Sequence, residues 1–238
     1  MNFRNISTIY RKELKSFFYS PVAYIIMVVF LIITGWFFTS NLFVMGLVSM
    51  RGVFDVIPFI LLFFIPAITM RSFSEEKKSG TIELLLTKPV TDMEIVVGKF
   101  ISNVVLTALT ILPTVVYVVS LSFLGRLDIG AIITAYIGVI LMCSIYISIG
   151  LFASSLTENQ VVAFIISFLM IFALFMLNKV LMFMPTFLVT ILEYISSDYH
   201  FLSISRGVLD TRTLIYYFSG ILIFLFLTKT SLEKRKWS

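Results

Sequence analysis

Histidine and cysteine, which most often bind metals or act as nucleophiles, each occur once, as His200 and Cys143. Cys143 lies in a long apolar run, where a buried, inert thiol is expected. His200 has no motif around it that would complete a Ser-His-Asp arrangement. A single cysteine also excludes an intrachain disulfide and a thiolate metal cluster. The sequence therefore predicts no catalytic residue, metal site or bound cofactor in this chain.

A phosphate-binding loop would read Gly-x-x-x-x-Gly-Lys-Ser/Thr. Only its Gly-Lys pair is present, at Gly98 and Lys99, where Phe100 follows and the earlier glycine is missing. The pair also opens a long apolar run. The sequence therefore predicts that the chain holds no nucleotide of its own.

Composition indicates a membrane protein. Of the 238 residues, 59% are apolar and 13% are charged, whereas about 25% are charged in a soluble domain. The net charge of +5 does not favour nucleic-acid binding, because the basic residues flank apolar runs and form no basic face. Residues 3–19 carry charge before any apolar run, so no cleavable signal peptide is predicted. Without repeats or long linkers, residues 1–238 are expected to form a single domain.

Six apolar stretches are candidates for membrane-spanning helices, because a hydrocarbon core of about 30 Å needs roughly 20 helical residues. The predicted fold is therefore an all-α membrane protein with six transmembrane helices. The predicted spans are Pro21–Phe38, Val56–Met70, Phe100–Gly125, Ile129–Leu156, Asn159–Asn178 and Thr213–Thr228.

The distribution of lysine and arginine predicts the orientation. With the N-terminus inside, thirteen of these residues flank the cytoplasmic ends of the spans and five flank the outer ends. Positive charge is enriched on the cytoplasmic side of membrane proteins. Both termini are therefore expected in the cytoplasm.

Two segments outside the spans are expected to lie at the membrane surface. Residues 3–19 place Phe3, Ile6, Tyr10, Leu14 and Phe17 on one helical stripe, with basic residues on another face. On the outer side, the first part of residues 185–212 has a polar stripe at helical spacing, formed by Thr186, Thr190, Glu193 and Ser197. We expect an N-terminal interfacial helix and short outer helices half-sunk in the membrane.

The cytoplasmic segment 71–94, between spans two and three, is strongly patterned. Gly80 can end one helix or begin another, Glu83 suits a helix start, and Pro89 stops the helix before it. Thr91 and Glu94 have the spacing of a capping box at the start of span three. The same spacing recurs at Thr157 and Gln160, before span five. A short amphipathic helix is therefore predicted ahead of span three.

In such a surface helix, the apolar side chains of the leucines at 84–86 must be shielded from water. They can dip into the membrane or pack on the bundle, or they can dock into a groove of a cytoplasmic partner. The residue pattern leaves these alternatives open.

Five strings along the chain resemble ABC transmembrane type-2 permeases, and most closely the gliding-motility-associated permease subunit of Bacteroidetes-type bacteria. The strings are KELKSFF at 12–18, ITMRSFSEE at 68–76, GTIELLLTKP at 80–89, SSLTENQ at 154–160 and HF at 200–201 with SRGVLDTR at 205–212. The resemblance covers nearly the whole chain.

The resemblance implies a permease subunit of an exporter in the bacterial inner membrane, linked to gliding motility or cell-surface assembly. A separate nucleotide-binding ATPase subunit would hold ATP and Mg²⁺, and a second permease, identical or related, would complete the path. The segment between spans two and three would couple to the ATPase, and the outer segment would form re-entrant helices. The coupling residues implied are Glu75, Glu76, Gly80, Thr81, Glu83 and Pro89. The residues implied for the outer segment are His200, Arg206, Gly207 and Asp210.

Three other functions were weighed against a permease. A secondary transporter would place ionisable groups within its spans, whereas Asp55 and Glu158 lie near span ends. A membrane enzyme would need clustered acids, histidines or a nucleophile with its base. A membrane anchor for a surface machine is compatible with the same sequence, and dependence of ATP hydrolysis on this chain would distinguish a transporter from an anchor.

Overall fold

The computed structural model describes residues 2–81, 90–180, 193–208 and 210–234, and within these ranges all regular structure is helical. The helices are α1 (Phe3–Tyr19), α2 (Pro21–Thr39), α3 (Arg51–Thr69), α4 (Arg71–Lys78), α5 (Asp92–Ile111), α6 (Val115–Ser122), α7 (Ile129–Leu156), α8 (Gln160–Val180), α9 (Ser197–Ser205) and α10 (Thr211–Lys234). A π-helical turn follows α2, and a 3-10 turn joins α5 to α6.

Six helical stretches in the described ranges are long and apolar enough to cross a membrane, so the predicted number of spans is confirmed. Four are α2 with its π turn, α3 with α4, α5 with α6, and α7. The other two are α8 and α10. Four of the predicted apolar runs lie inside one of these stretches, whereas the third run passes the end of its helix at Ser122 and the fifth starts one residue before Gln160. Several helices extend well beyond the run.

The second span begins at Arg51, five residues before the predicted start, and runs through Pro58 and Pro66. Neither proline ends the helix. Both lie buried among neighbouring helices, which is the setting in which membrane helices tolerate proline. The third span is interrupted at Pro113, where the 3-10 turn separates α5 from α6.

Capping residues set the starts of three spans. Ser20 caps α2 with Pro21 in the first helical position, and Asp128 caps α7. The predicted capping box of Thr91 and Glu94 is confirmed, and it starts α5 at Asp92 rather than at Phe100.

The predicted capping box before the fifth span is wrong. The helix α8 begins at Gln160, so that residue cannot occupy the third helical position. Asn159 caps the helix instead, because its Oδ1 accepts a hydrogen bond from the Val161 N–H at 2.9 Å. Thr157 lies two residues before this cap, and its Oγ1 accepts a hydrogen bond from the Asn159 N–H at 3.2 Å.

The helices α3 and α7 form the centre of the bundle. In the most apolar stretch of each, 61% of residues are buried, against 33% or less in the other four spans. Glycines allow the close packing of α7 with its neighbours. A Cβ on Gly150 would lie 2.1 Å from Thr69 Oγ1, and one on Gly138 would lie 2.8 Å from Ile204 Cγ2. The helix α7 therefore packs closely on both α3 and α9.

Candidate functional site

A buried lysine joins three helices at the end of the bundle where α1 and α4 lie. The Lys99 ammonium, on α5, is 2.9 Å from Glu76 Oε1 on α4 and 3.2 Å from Glu13 Oε1 on α1. It also lies over the Phe73 ring, 5.2 Å from the ring centre. Lys99 is 1% exposed. A buried ammonium is costly unless it is paired, and here two carboxylates and an aromatic face compensate it. We call Glu13, Glu76 and Lys99 the charge triad.

The residue before this lysine lets α1 come close. A Cβ on Gly98 would lie 2.8 Å from Ile9 Cγ2 and 3.4 Å from the Ile6 carbonyl oxygen. Only glycine therefore allows α1 to pack directly on α5 here. The pair Gly98-Lys99, which partly resembles a phosphate loop, thus seats the N-terminal helix and its glutamate.

The start of α5 holds the first turn of α1 as well. Glu94 accepts hydrogen bonds from the Asn2 N–H, from Asn5 Nδ2 at 3.1 Å and from the Thr91 N–H at 3.1 Å. The same carboxylate thus completes its own helix cap and binds a second helix. As a result, α1 is attached to α5 at both Glu94 and Lys99.

The opposite side of α4 is attached to the end of α7. Ser154 Oγ accepts hydrogen bonds from the Phe73 and Ser74 N–H groups at 3.0 and 3.1 Å, and it donates to the Met70 carbonyl oxygen at 3.0 Å. The Lys77 ammonium donates to the Ser155 carbonyl oxygen. These bonds bridge the break between α3 and α4, so α4 is tied to the central helix as well as to α1 and α5.

We call α4, the charge triad and Ser154 together the coupling junction. This junction brings together three strings that are far apart in sequence. They are residues 12–18, 68–76 and 154–160. Residues 7–228 match the family described as ABC-2 family transporter protein. The chain belongs to the ABC-2 transporter family. No curated protein matches the chain in a sequence comparison.

Membership establishes the broad function. ABC-2 membrane domains are permease subunits of ABC transporters, and they work in the membrane with an ABC ATPase subunit. The six spans agree with a multi-pass permease of this kind. The ABC-2 chain is thus a transport component and is not itself the catalytic subunit.

The residues that the resemblance implies for coupling, as far as the structure describes them, surround the end of α4 in the ABC-2 chain. Glu76 lies in the charge triad, whereas the Glu75 side chain is 57% exposed and lies 3.9 Å from Arg71 Nε. Gly80 has a φ of 68°, a left-handed conformation that suits glycine just after a helix. Thr81 Oγ1 lies 2.9 Å from Ser79 Oγ. Gly80 therefore ends α4. Glu83 and Pro89, with the leucines at 84–86, lie outside the described residues.

Three of the four residues expected for the outer segment, His200, Arg206 and Asp210, line one cavity of about 260 Å³ in the ABC-2 chain. His200 is buried, stacks on Tyr216 with ring centres 4.2 Å apart, and hydrogen-bonds Thr213 Oγ1 and the Tyr194 carbonyl oxygen at 3.1 Å each. Burial lowers the pKa of His200, although the Tyr194 carbonyl and Asp210 act in the opposite direction.

The remaining outer residues of the ABC-2 chain form the turn between α9 and α10. Arg206 and Asp210 are exposed, and Gly207 adopts a left-handed φ of 93°. The Asp210 Oδ1 atom accepts a hydrogen bond from the Arg212 N–H at 3.0 Å, near the start of α10. His200 thus fixes the outer segment against α10, while the other three residues shape the turn. The polar positions predicted at 186 and 190 lie outside the described residues.

Sequence reasoning missed two charged sites in the ABC-2 chain. The sequence places Lys99 at the end of a predicted span and indicates no role for Glu13. The second missed site is Asp198, which is 4% exposed, accepts a hydrogen bond from Asn178 Nδ2 at 2.7 Å and lies 3.2 Å from the Lys179 ammonium. One sequence signal pointed to Glu13. It follows Ile6 and Ile9 at helical spacing, so all three share one face of the helix.

The helix predicted over residues 3–19 is present as α1, while its position at the membrane surface stays a prediction. Ile6 is buried, but Phe3 is 86% exposed, because the face that packs on α5 carries Ile6, Ile9 and Glu13. The basic residues Arg4 and Arg11 are exposed.

Proposed function

We propose that this permease subunit belongs to an exporter of the bacterial cytoplasmic membrane that serves gliding motility or cell-surface assembly. It would work with a second permease, identical or related, and with an ABC ATPase subunit that binds ATP and Mg²⁺. The similarity of the five sequence strings to gliding-associated permeases supports this narrower function. Six spans in one chain support a paired arrangement, since six make half of a transport path in the type-2 permeases that it resembles.

The proposed orientation places both termini and residues 71–94 in the cytoplasm. An even number of spans puts the two ends of the chain on the same side of the membrane. The charge distribution of thirteen basic residues against five selects that side as the cytoplasm. The coupling junction then faces the compartment that holds ATP.

The coupling function is carried by one observation, which is that α4 is attached on two sides. The charge triad connects it to α1 and α5, and Ser154 connects it to α7. A force applied to the segment after Gly80 would therefore reach α1 and two spans, α5 and α7, through fixed polar contacts, without passing through a slack loop. In this proposal, the ATPase docks on the segment that ends at Pro89, and α4 passes the movement to the bundle.

The test changes the docking segment and leaves the spans intact. Glu83→Lys reverses a charge at the expected helix start, and Leu85→Asp removes an apolar anchor. Against a desolvated basic groove, the charge reversal should cost about 2 kcal/mol or more, which is a loss of roughly thirtyfold in affinity for the ATPase. Both variants should insert in the membrane normally, yet lose the ATPase or fail to stimulate its hydrolysis.

Glu233→Lys is the matched control, because this glutamate is half-exposed at the end of α10, on the same side of the membrane as the junction and outside the docking segment. It should keep both binding and hydrolysis. The coupling role is wrong if Glu83→Lys and Leu85→Asp behave like the control. Hydrolysis that never depends on the permease would instead identify a membrane anchor.

A further inference from the structure

A cavity of about 340 Å³ opens beside the coupling junction, where α1, α2, α3, α4 and α5 meet. This volume lies within the usual range for small-molecule sites, about 300–1,000 Å³. One part of its lining is charged, with three cations and three carboxylates. These residues are Lys12, Glu13, Arg71, Glu75, Glu76 and Lys99. Because the formal charges cancel, the lining favours a ligand that carries both signs over a purely anionic one.

The rest of the lining belongs to the membrane-spanning helices. It includes Ala23 and Ile26 of α2, Ile68 of α3 and Leu106 of α5. Ser20 and Val22 mark the start of α2 at the same cavity. The cavity therefore runs from a charged end at the membrane surface to an apolar end along three spans, which is the polarity profile of a phospholipid.

The charged end has unused binding capacity among the described residues. Glu76 binds Lys99 through Oε1, whereas its Oε2 is buried and has no hydrogen-bond partner there. An unsatisfied buried carboxylate oxygen is costly, and an ammonium donor would compensate it. The neighbouring Glu75 is more than half exposed and can accept from the same donor.

Cations suited to a phosphate lie beside these carboxylates. The Lys12 side chain is 62% exposed, and its ammonium lies 3.8 Å or more from the nearest carboxylate oxygens. Arg71 makes its contacts with Gln160 and Glu75 through Nε. Its terminal nitrogens can therefore form a bidentate pair with phosphate oxygens.

We propose that this cavity binds the headgroup of a phospholipid with a primary ammonium, such as phosphatidylethanolamine, from the leaflet that borders α1. The ammonium binds Glu75 and Glu76, the phosphate binds Lys12 and Arg71, and an acyl chain follows the apolar lining. Such a lipid bridges α1, α4 and α5 next to the charge triad. The site goes beyond the proposed transport function, since it does not depend on the cargo or on the ATPase.

Native mass spectrometry of the purified full chain tests the site. The detergent-solubilised protein is mixed with equal amounts of phosphatidylethanolamine, phosphatidylcholine and phosphatidylglycerol that carry identical acyl chains. Choline offers no N–H donor, and phosphatidylglycerol offers no ammonium. Wild-type protein should retain the ethanolamine lipid over each competitor by about fivefold, which is the upper end for exposed ion pairs, because Glu75 and Lys12 are part-exposed.

Glu76→Gln should abolish this preference. Glu75→Gln should also abolish the preference. Because Glu75 is not part of the charge triad, this second variant keeps the test valid if Glu76→Gln fails to fold. Glu233→Gln, at the end of α10, is the control and should keep the preference. Equal retention of the three lipids by wild type, a preference that survives both glutamate variants, or its loss in the control would each overturn the proposal. No nucleotide or ATPase is added, so the result is independent of the coupling test.

Discussion

Lys99→Met removes the cation of the charge triad and leaves two glutamates facing each other near a buried position. Removing one partner of a buried ion pair costs about 3–5 kcal/mol. The side chains of Glu13 and Glu76 are 15% and 16% exposed, so water relieves part of this cost, and we expect about 3 kcal/mol. For a chain of this size, that corresponds to a fall of roughly 6–12 °C in Tm.

The assay is a thermal unfolding curve of the purified chain in detergent, followed by circular dichroism. Lys78→Met is the matched control, because Lys78 is an exposed lysine at the end of α4, and it should leave Tm within about 2 °C of wild type. Adding Glu13→Gln and Glu76→Gln to Lys99→Met should restore most of the stability, since no unpaired charge is then left. If Lys99→Met melts like the control, the triad contributes nothing to the fold.

Three further predictions concern packing, pH and topology. Gly150→Ala should cost about 1–3 kcal/mol, because its Cβ would lie 2.1 Å from Thr69 Oγ1, whereas Gly130→Ala should be neutral in the same melting assay. Because burial lowers the pKa of His200 from 6.5, the folded chain binds its proton less readily than the unfolded chain. Stability should therefore be full above pH 6.5 and fall below it by at most about 1.4 kcal/mol per pH unit, and His200→Gln should flatten this dependence in melts from pH 7.5 to 5.5. In a Cys143→Ser background, an impermeant thiol reagent outside intact cells should label Arg126→Cys but not Lys78→Cys; the reverse pattern would invert the proposed orientation.

The number of spans could be predicted because long apolar runs report directly on membrane crossing. The residues at which the helices begin and end could not be predicted from these runs, since the caps lie outside them. The third span shows the difference, because its apolar run begins at Phe100 whereas the capping box starts the helix at Asp92. Thr157 and Gln160 show that correct spacing alone does not make a capping box. They have the same spacing as Thr91 and Glu94, but Asn159 caps α8 instead.

The charge triad could not be predicted from local spacing. Its members lie at positions 13, 76 and 99, in three helices whose association depends on the fold. Lys99 directly precedes an apolar run, which is where a lysine that reaches the membrane surface is also found. Only the close approach of α1 at Gly98 buries it. The sequence strings 12–18, 68–76 and 154–160 were recognised separately, but their contact at α4 required the structure.

The polar contacts of the junction are best explained by the need to fix the register of α4 against its neighbours. Replacing a buried ion group with apolar residues is often neutral or stabilising, so stability alone does not favour a charge triad. Directional bonds instead fix register, because Lys99 meets both glutamates in one arrangement and Ser154 meets two successive N–H groups of α4. An apolar contact would allow α4 to slide or rotate against α1, α5 and α7. In the coupling role proposed above, α4 must keep a defined register, and these contacts set it.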